Sequence, residues 1–219
     1  MLSSVTKPNT TEQFEIIKSI GVQVKWLNDI CLRALAAYNN ATQYDAINAA
    51  GSYAYFAAVR AMREILCPLG WEMQREQNLE FTVNKKTGIR IIVSSGNKYT
   101  GNEFENPKTK NSKGGQTQKI VDENYYHQQL DLPLKVSKTI PNQPEKIKPT
   151  WILLHYIDPF KKEMRSELSM PLEIDFKELK VSSWGNRIIL PVIKLNSVSS
   201  QQYNPNGETD VEFKIERRE

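Results

Sequence analysis

Lysines, glycines and aromatic side chains that could bind a phosphate or a base are concentrated in one segment, residues 96–119. The residues that we assign to this binding set are Lys98, Tyr99, Lys108, Lys110, Lys113, Gly114, Gly115 and Lys119. Paired glycines free backbone amides to turn toward an anion, and a helix that starts after them would add unpaired N–H groups. Lysines beside aromatic rings suit single-stranded nucleic acid, whose phosphates pair with cations while its bases stack. The segment therefore predicts a nucleic-acid-binding loop, with a solvated surface loop as the simpler explanation.

A second group of residues with chemical potential lies near the end of the chain. Asp210, Glu212 and Lys214 would share one face of a strand, a pattern that can hold Mg²⁺ and orient an attacking water. The group resembles the PD-(D/E)xK nuclease motif over five residues, although that family takes its first acid from a separate strand. The resemblance implies a magnesium-dependent nuclease, with Asp158 or Asp175 as further ligands and Mg²⁺ as its cofactor. The same Glu-x-Lys pattern also protects an exposed edge strand from aggregation.

The chain has few histidines and cysteines, the residues that most often bind metals or act as catalytic bases and nucleophiles. His127, His155, Cys31 and Cys67 are the only residues of these two types, and they are not at metal-ligand spacing, so no metal site is predicted from them. His155 lies in an apolar run and is expected to be a buried core imidazole. The cysteines lie in apolar helical patterns and are expected to be buried free thiols, with a disulfide between the two helices as the alternative. A Walker-type phosphate loop, a dinucleotide fingerprint and a nucleophile–His–acid arrangement are not found.

The composition is that of an ordinary globular chain. It has 219 residues, of which 39% are hydrophobic and 25% charged, and 29 Lys and Arg against 25 Asp and Glu give a net charge of +4. This balance permits an anionic partner without requiring one. The first eleven residues are polar and lack the apolar core of a signal peptide, and no apolar run approaches the ~18 residues of a membrane span. We therefore expect a cytoplasmic protein with no cofactor outside the nuclease alternative.

Two long helices are predicted before any strand. The capping pattern of Thr10 and Gln13 begins the first helix, which we expect to continue without a break to about residues 37–40. Its apolar stripe consists of Phe14, Ile17, Val24, Leu27, Cys31, Leu35 and Tyr38. The second helix is expected to start between residues 42 and 45 and to end at Cys67, since Pro68 cannot continue it. Its many alanines would allow close packing as an antiparallel hairpin.

The pattern then changes to that of strands. We predict one hairpin from strands 79–83 and 89–93, and a second from strands 151–157 and 164–170. Two further strands are predicted at 187–193 and 211–215. In residues 164–170, Met164, Ser166, Leu168 and Met170 alternate with Arg165, Glu167 and Ser169.

A short helix and a proline-rich connector separate these hairpins. The helix is predicted over residues 117–129, with Thr117 as its N-cap and Ile120, Val121 and Tyr125 facing inward. The connector occupies about residues 131–149.

These elements predict an α+β fold, in which an N-terminal antiparallel helical hairpin packs on a mainly antiparallel β-sheet with a long basic loop. The domain prediction is a helical hairpin at 1–75 and a mainly β domain at 76–219. The leading functional expectation is a non-enzymatic nucleic-acid-binding protein, with a magnesium-dependent nuclease as one alternative. The other alternative is an adaptor or assembly protein, because the helical hairpin offers more apolar surface than a small sheet covers. A protein partner or a homo-oligomer would then bind there, and no membrane is expected.

Overall fold

The computed structural model of the chain describes residues 10–130 and 149–194, with side chains from 13–128 and 149–194. The helices in this part are α1 (Thr10–Ile20), α2 (Val24–Asn39), α3 (Ala49–Leu66) and α4 (Gly115–Leu130), with a 3-10 turn at Cys67–Leu69 after α3. The strands are β1 (Trp71–Glu76), β2 (Leu79–Asn84), β3 (Arg90–Ser95), β4 (Thr150–Asp158), β5 (Glu163–Asp175), β6 (Lys180–Ile189) and β7 (Ile193–Lys194). The predicted strand at 211–215 and most of the predicted connector lie outside the described residues.

One seven-stranded sheet joins all the described strands. Its order is β1-β2-β3-β4-β5-β6, and β7 pairs with the first residues of β5. Every neighbouring pair is antiparallel except β3 and β4, which run parallel from Arg90↔Thr150 to Ser95↔His155. The α+β class and the mainly antiparallel sheet are therefore confirmed.

Helices cover both faces of the sheet. On one face α1, α2 and α3 bury residues such as Leu35 and Met62 against Ile91 and Leu153 of the central strands. On the other face Ile120 and Val121 of α4 pack on Phe81, Ile92, Ile152 and Leu154. The N-terminal helices thus share one core with the sheet, and the division of the chain at residue 75 stays a prediction.

Helix α4 contacts the parallel strands with two consecutive residues. Glu123 forms an ion pair with Arg90 of β3. Asn124 is fully buried, and its side-chain amide donates to the carbonyl oxygens of Thr150 (2.9 Å) and Pro171 (3.0 Å), while its Oδ1 accepts from the Thr150 N–H (2.9 Å). The helix therefore fastens the starts of β3 and β4 together. The prediction that Tyr125 faces inward is wrong: Asn124 takes the inward position and Tyr125 is exposed.

The prediction of one uninterrupted first helix is wrong, because the chain breaks at Gly21. This residue has a φ of +85°, and its N–H donates to the carbonyl oxygens of Ile17 and Lys18, which closes α1. The positive φ is accessible to glycine and strained for other residues. The apolar stripe continues across the break, since Ile20 and Val22 are both buried, and the sequence pattern therefore hides it.

Helix starts also differ from the predictions. The second helix begins at Ala49 rather than at residues 42–45, because the side chains of Thr42 and Asp45 form a hydrogen-bonded turn instead. Helix α4 begins at Gly115, so Thr117 is its third residue rather than its N-cap. Ile120 and Val121 face the core as predicted.

Both hairpins lie where the turn residues of the sequence predicted them. The chain turns between β2 and β3 through residues 84–88, where Gly88 has a φ of +76°, and β4 pairs antiparallel with β5. Strand β1 was not predicted; it joins β2 through Gln77 and Asn78, both with positive φ. The strand predicted from residue 187 begins at Lys180, seven positions earlier.

The cysteines and the helix lengths bear on two further predictions. Both cysteines are free thiols, as predicted, and Cys31 is buried, but the prediction that Cys67 is buried is wrong because it is only half-buried after the end of α3. Each helix in the described residues is too short or too polar to cross a lipid bilayer.

Candidate functional site

Residues 96–114, the part of the predicted binding segment 96–119 that precedes α4, are hydrogen-bonded to the sheet along their length. The Lys110 N–H donates to the Ser95 carbonyl oxygen at 2.8 Å, and the Thr109 N–H to that of Val181 at 3.1 Å. The Trp184 indole donates to the Pro107 carbonyl oxygen at 2.7 Å. The loop is therefore an ordered layer over one face of the sheet.

A buried ion pair anchors the first half of this loop. The Glu167 carboxylate accepts from Arg187 Nη2 at 2.6 Å and from the Gly101 N–H at 2.9 Å. Arg187 also donates to the carbonyl oxygens of Glu105 (3.0 Å) and Asn102 (2.9 Å). Since the loop and α4 cover this face of β5, Glu167 is buried rather than solvated. Its hydrogen bonds join the loop and Arg187 to β5, so we assign it a structural role.

Two of the predicted nucleic-acid-binding lysines are directed toward the protein itself. Lys108 Nζ lies 2.9 Å from Glu178 and 3.0 Å from Asp175, and these two carboxylates raise the pKa of the lysine. Lys113 is largely buried, and its Nζ donates to Ser94 Oγ at 2.8 Å. Burial without a carboxylate partner lowers the pKa of Lys113. Neither amine extends freely into solvent to meet a phosphate.

The other predicted cations are more accessible. Lys98 is exposed, with its amine 5.2 Å from the centre of the Tyr99 ring, and Lys110 is exposed without a side-chain partner among the described residues. Lys119 lies on α4, 3.9 Å from Glu123. The structure thus separates the predicted set into accessible and internally paired members.

The glycine pair lies at the start of α4, as the anion-cradle hypothesis requires. Gly114 and Gly115 are both exposed, and a Cβ added to either would meet no atom within 4 Å. The Gly114 carbonyl accepts from the Thr117 N–H at 3.0 Å, so the helix hydrogen bonds begin here. Space and free amides are present, but the adjacent Lys113 amine is directed to Ser94.

The nuclease alternative has no assembled site in the described part of the chain. Asp210, Glu212 and Lys214 lie outside it. Asp175 is paired with Lys108, which holds its pKa at about 2, and Asp158 accepts from the N–H groups of its own turn. No group of three or more His, Cys, Asp or Glu among the described residues could hold a metal ion.

A polar row crosses the face of the sheet that α1, α2 and α3 cover. Ser95, His155 and Ser166 are direct neighbours on β3, β4 and β5, and Ser95 Oγ lies 3.3 Å from His155 Nε2. Cys31 of α2 lies beside Ser166. Burial lowers the pKa of His155 to about 4 and raises the pKa of Cys31 to about 11. The row therefore offers neither a thiolate nor a base poised near neutral pH, and His155 is a core imidazole as predicted.

The groove beside α4 holds aromatic side chains among carboxylates. It has a volume of about 650 Å³ and is lined by the exposed rings of Tyr125, Tyr126 and Phe176 together with Asp122 and Asp175. Acidic side chains repel a phosphate backbone. The aromatic residues of α4 are therefore poorly placed to stack nucleic-acid bases.

A different surface, missed as a site by the sequence analysis, lies where α2 connects to α3. We call residues 38–57 the helical tip. Tyr44 is 90% exposed and Ile47 fully exposed, and Phe56 and Tyr53 are exposed on the adjoining turns of α3.

Hydrogen bonds to one carboxylate hold the helical tip in shape. Asp45 accepts from the Thr42 N–H (2.8 Å), from Thr42 Oγ1 (3.0 Å) and from the Tyr53 hydroxyl (2.8 Å). These bonds, first among them that of the Thr42 N–H, lower the pKa of Asp45. Tyr44 and Ile47 therefore protrude from an ordered turn.

Charge is almost absent from this surface. Asp45 is the single charged residue among the 20 positions 38–57, whereas 25% of the whole chain is charged. The same positions hold five aromatic residues: Tyr38, Tyr44, Tyr53, Tyr55 and Phe56. Depletion of charge with enrichment of aromatics marks the centres of protein–protein interfaces. This compositional signal was available in the sequence.

A concave site lies beside the protruding residues. It is open to solvent and has a volume of about 480 Å³, and its wall combines Tyr38 and the apolar residues Ala41, Ala46, Ile47 and Ala50 with the polar residues Asn39, Thr42, Gln43 and Asp45. The small alanine side chains leave the depression open.

No protein-family model, curated protein or solved structure matches the chain. The chemistry of its own surfaces is therefore the guide to its function.

Proposed function

We propose that the chain is a non-enzymatic assembly protein that binds another protein through the helical tip. The observation that carries this proposal is an ordered, almost uncharged turn that exposes Tyr44 and Ile47 beside a cavity of about 480 Å³. Large apolar side chains exposed together cost solvation free energy unless a partner covers them. Because Asp45 already holds the turn, little conformational entropy remains to be lost on binding.

Site-specific photo-cross-linking in the native host tests the proposal. A benzophenone amino acid placed at Tyr44 is expected to give protein adducts. The matched control is the same substitution at Phe160, which is 96% exposed in the β4–β5 turn and distant in sequence from the helical tip. Adducts at neither position, or equal adducts at both, would contradict the proposal.

Nucleic-acid binding is the second candidate, and the accessible lysines favour it. The described loop residues best placed to meet a phosphate are Lys98 beside Tyr99, and Lys110, which has no side-chain partner within 13–128 and 149–194. Lys108 already has two carboxylate partners. The three loop lysines are therefore not equivalent, and Lys108 provides an internal control for Lys110.

If the chain binds nucleic acid, the salt dependence should report which lysine takes part. Lys110→Ala is expected to flatten the slope of log K against log salt by roughly 0.7 to 0.9, the value for one phosphate contact. Lys108→Ala is expected to leave the slope unchanged, since its charge is used within the protein. Filter binding with single-stranded and double-stranded probes measures both. Equal slopes for the parent and Lys110→Ala would remove the loop from consideration.

We propose a cytoplasmic location because both cysteines are free thiols. Free Cys31 and Cys67 fit a reducing compartment, where thiols persist without pairing. Two alkylatable thiols after denaturation without reductant are expected. A disulfide in protein purified from the native host would contradict both the pairing state and the location.

A further inference from the structure

We infer that the partner of the helical tip is a second copy of this chain, bound by the same surface across a two-fold axis. The inference rests on the proposed function and deepens it by naming the partner. In a two-fold contact one surface meets itself, so it must offer both the protruding and the receiving part. The helical tip offers both, because Tyr44 and Ile47 protrude next to the depression walled by Ala46 and Ala50.

The charge distribution favours a second copy over a different protein. The chain carries a net charge of +4, so two copies repel each other wherever their lysines and arginines meet. Positions 38–57 contain no lysine or arginine, and their one carboxylate, Asp45, already accepts three hydrogen bonds. A different partner is commonly selected by complementary charge, which this surface does not supply.

The charges at the border of this surface balance the one charge within it. Arg33 and Arg60 share a single carboxylate, that of Glu64, at 2.6 Å and 2.7 Å, and Asp45 supplies a second negative charge. Two copies that approach tip to tip therefore bring no net charge from these four residues.

The helical tip is close in size to one side of a small protein–protein interface. Of its twenty residues, two are buried, which leaves eighteen at least partly exposed. A standard protein–protein interface takes about 20 to 30 residues from each partner. Tyr44, Ile47 and Phe56 supply the large apolar side chains that dominate binding at the centre of such an interface.

Sedimentation equilibrium of the full-length protein tests the inference. The parent is expected to show a mass that rises with concentration toward twice that of one chain. Ile47→Asp and Tyr44→Asp should each weaken the dimer at least about tenfold, since a two-fold contact buries the new carboxylate twice. Phe160→Asp, the matched control, should dimerise as the parent does. Circular dichroism should report the parent's fold for every variant, because all three side chains are exposed.

The possible outcomes separate the inference from the proposed function. A parent that stays monomeric, or a dimer unaffected by both tip variants, overturns the inference. Loss of the dimer with Phe160→Asp as well would also overturn it, because association would then not depend on the tip. Cross-linked products at Tyr44 with twice the mass of one chain support it. Adducts to other proteins from a monomeric parent overturn it while leaving the assembly function standing, and an absence of adducts contradicts that function.

Discussion

Glu167 is a buried carboxylate whose two oxygens accept four hydrogen bonds, from Gly101, from Ser169 and twice from Arg187. Removing one member of a buried ion pair leaves the other charge uncompensated. We expect Glu167→Ala to lower the free energy of unfolding by about 3–5 kcal/mol in urea titrations. The control is Glu72→Ala, which breaks an exposed pair with Lys85 and should cost about 0–1 kcal/mol. Similar losses for the two variants would show that the buried pair is not the anchor.

His155 makes stability depend on pH. Burial first, and the charge of Lys110 second, lower its pKa from 6.5 to about 4, so the folded protein keeps it neutral where the unfolded chain protonates it. Its contribution is complete above pH 6.5 and is lost as the pH falls from 6.5 to about 4, by roughly 3 kcal/mol. His155→Gln should flatten the dependence of the unfolding free energy on pH across this window. Parallel pH profiles for His155→Gln and the parent would contradict this assignment.

The fate of the predicted lysines shows what residue types alone can and cannot reveal. The sequence identified an accessible cation at Lys110, but not the pairing of Lys108 with Asp175 and Glu178, which are 67 and 70 positions away. No local pattern encodes such a contact, because it depends on how the loop lies over β5. The helical tip was missed for a different reason. Its signal is a lack of charge, whereas we interpreted the alanines of this stretch as a close-packing seam of the second helix.

At the level of the elements, alanine substitutions at Gly21 and Gly51 can be compared, because Gly21 has a positive φ and Gly51 is helical. Gly21→Ala places a side chain at a φ of +85°, with its Cβ 3.1 Å from Asn84 Nδ2, and should destabilise the protein by about 1–3 kcal/mol. Gly51 lies inside α3, and a Cβ there meets no atom within 4 Å. Gly51→Ala should therefore stabilise by about 0.5–1 kcal/mol through helix propensity. Thermal unfolding measures both, and a shift in the same direction would contradict the broken helix.

The elements that the sequence located best are those defined by local turn chemistry. The turn at residues 84–88 requires a positive φ at Gly88, and the sequence places glycine there. Strand β1 was not predicted, because the turn that joins it to β2 uses Gln77 and Asn78 rather than glycine. The start of β6 at Lys180 was not predicted either. It is fixed by the pairing of Lys180 with Asp175 on β5, and the alternation of apolar and polar residues along β6 does not reveal it.

For the whole molecule, the shared core predicts that the N-terminal helices do not fold alone. Leu35, Met62 and Leu66 of the helices belong to the same buried cluster as Ile91 and Leu153 of the sheet. A fragment of residues 1–75 would expose these side chains to water and lose their burial free energy. We expect it to show no cooperative thermal transition by circular dichroism. A sharp transition, with a native-like helical spectrum, would establish an independent helical domain.

The parallel pairing of β3 with β4 has a consequence for how the chain folds. Strands β1 to β3 and β4 to β6 can each form through short hairpins, but Arg90 and Thr150, which start the parallel pair, are 60 positions apart. Closing that distance costs chain entropy before any contact compensates for it, which slows folding. Until α4 fastens the two strands through Glu123 and Asn124, each exposes an unpaired apolar edge. Refolding should therefore compete with aggregation as protein concentration rises. The unpaired edges of β3 and β4 should be the surfaces through which chains aggregate.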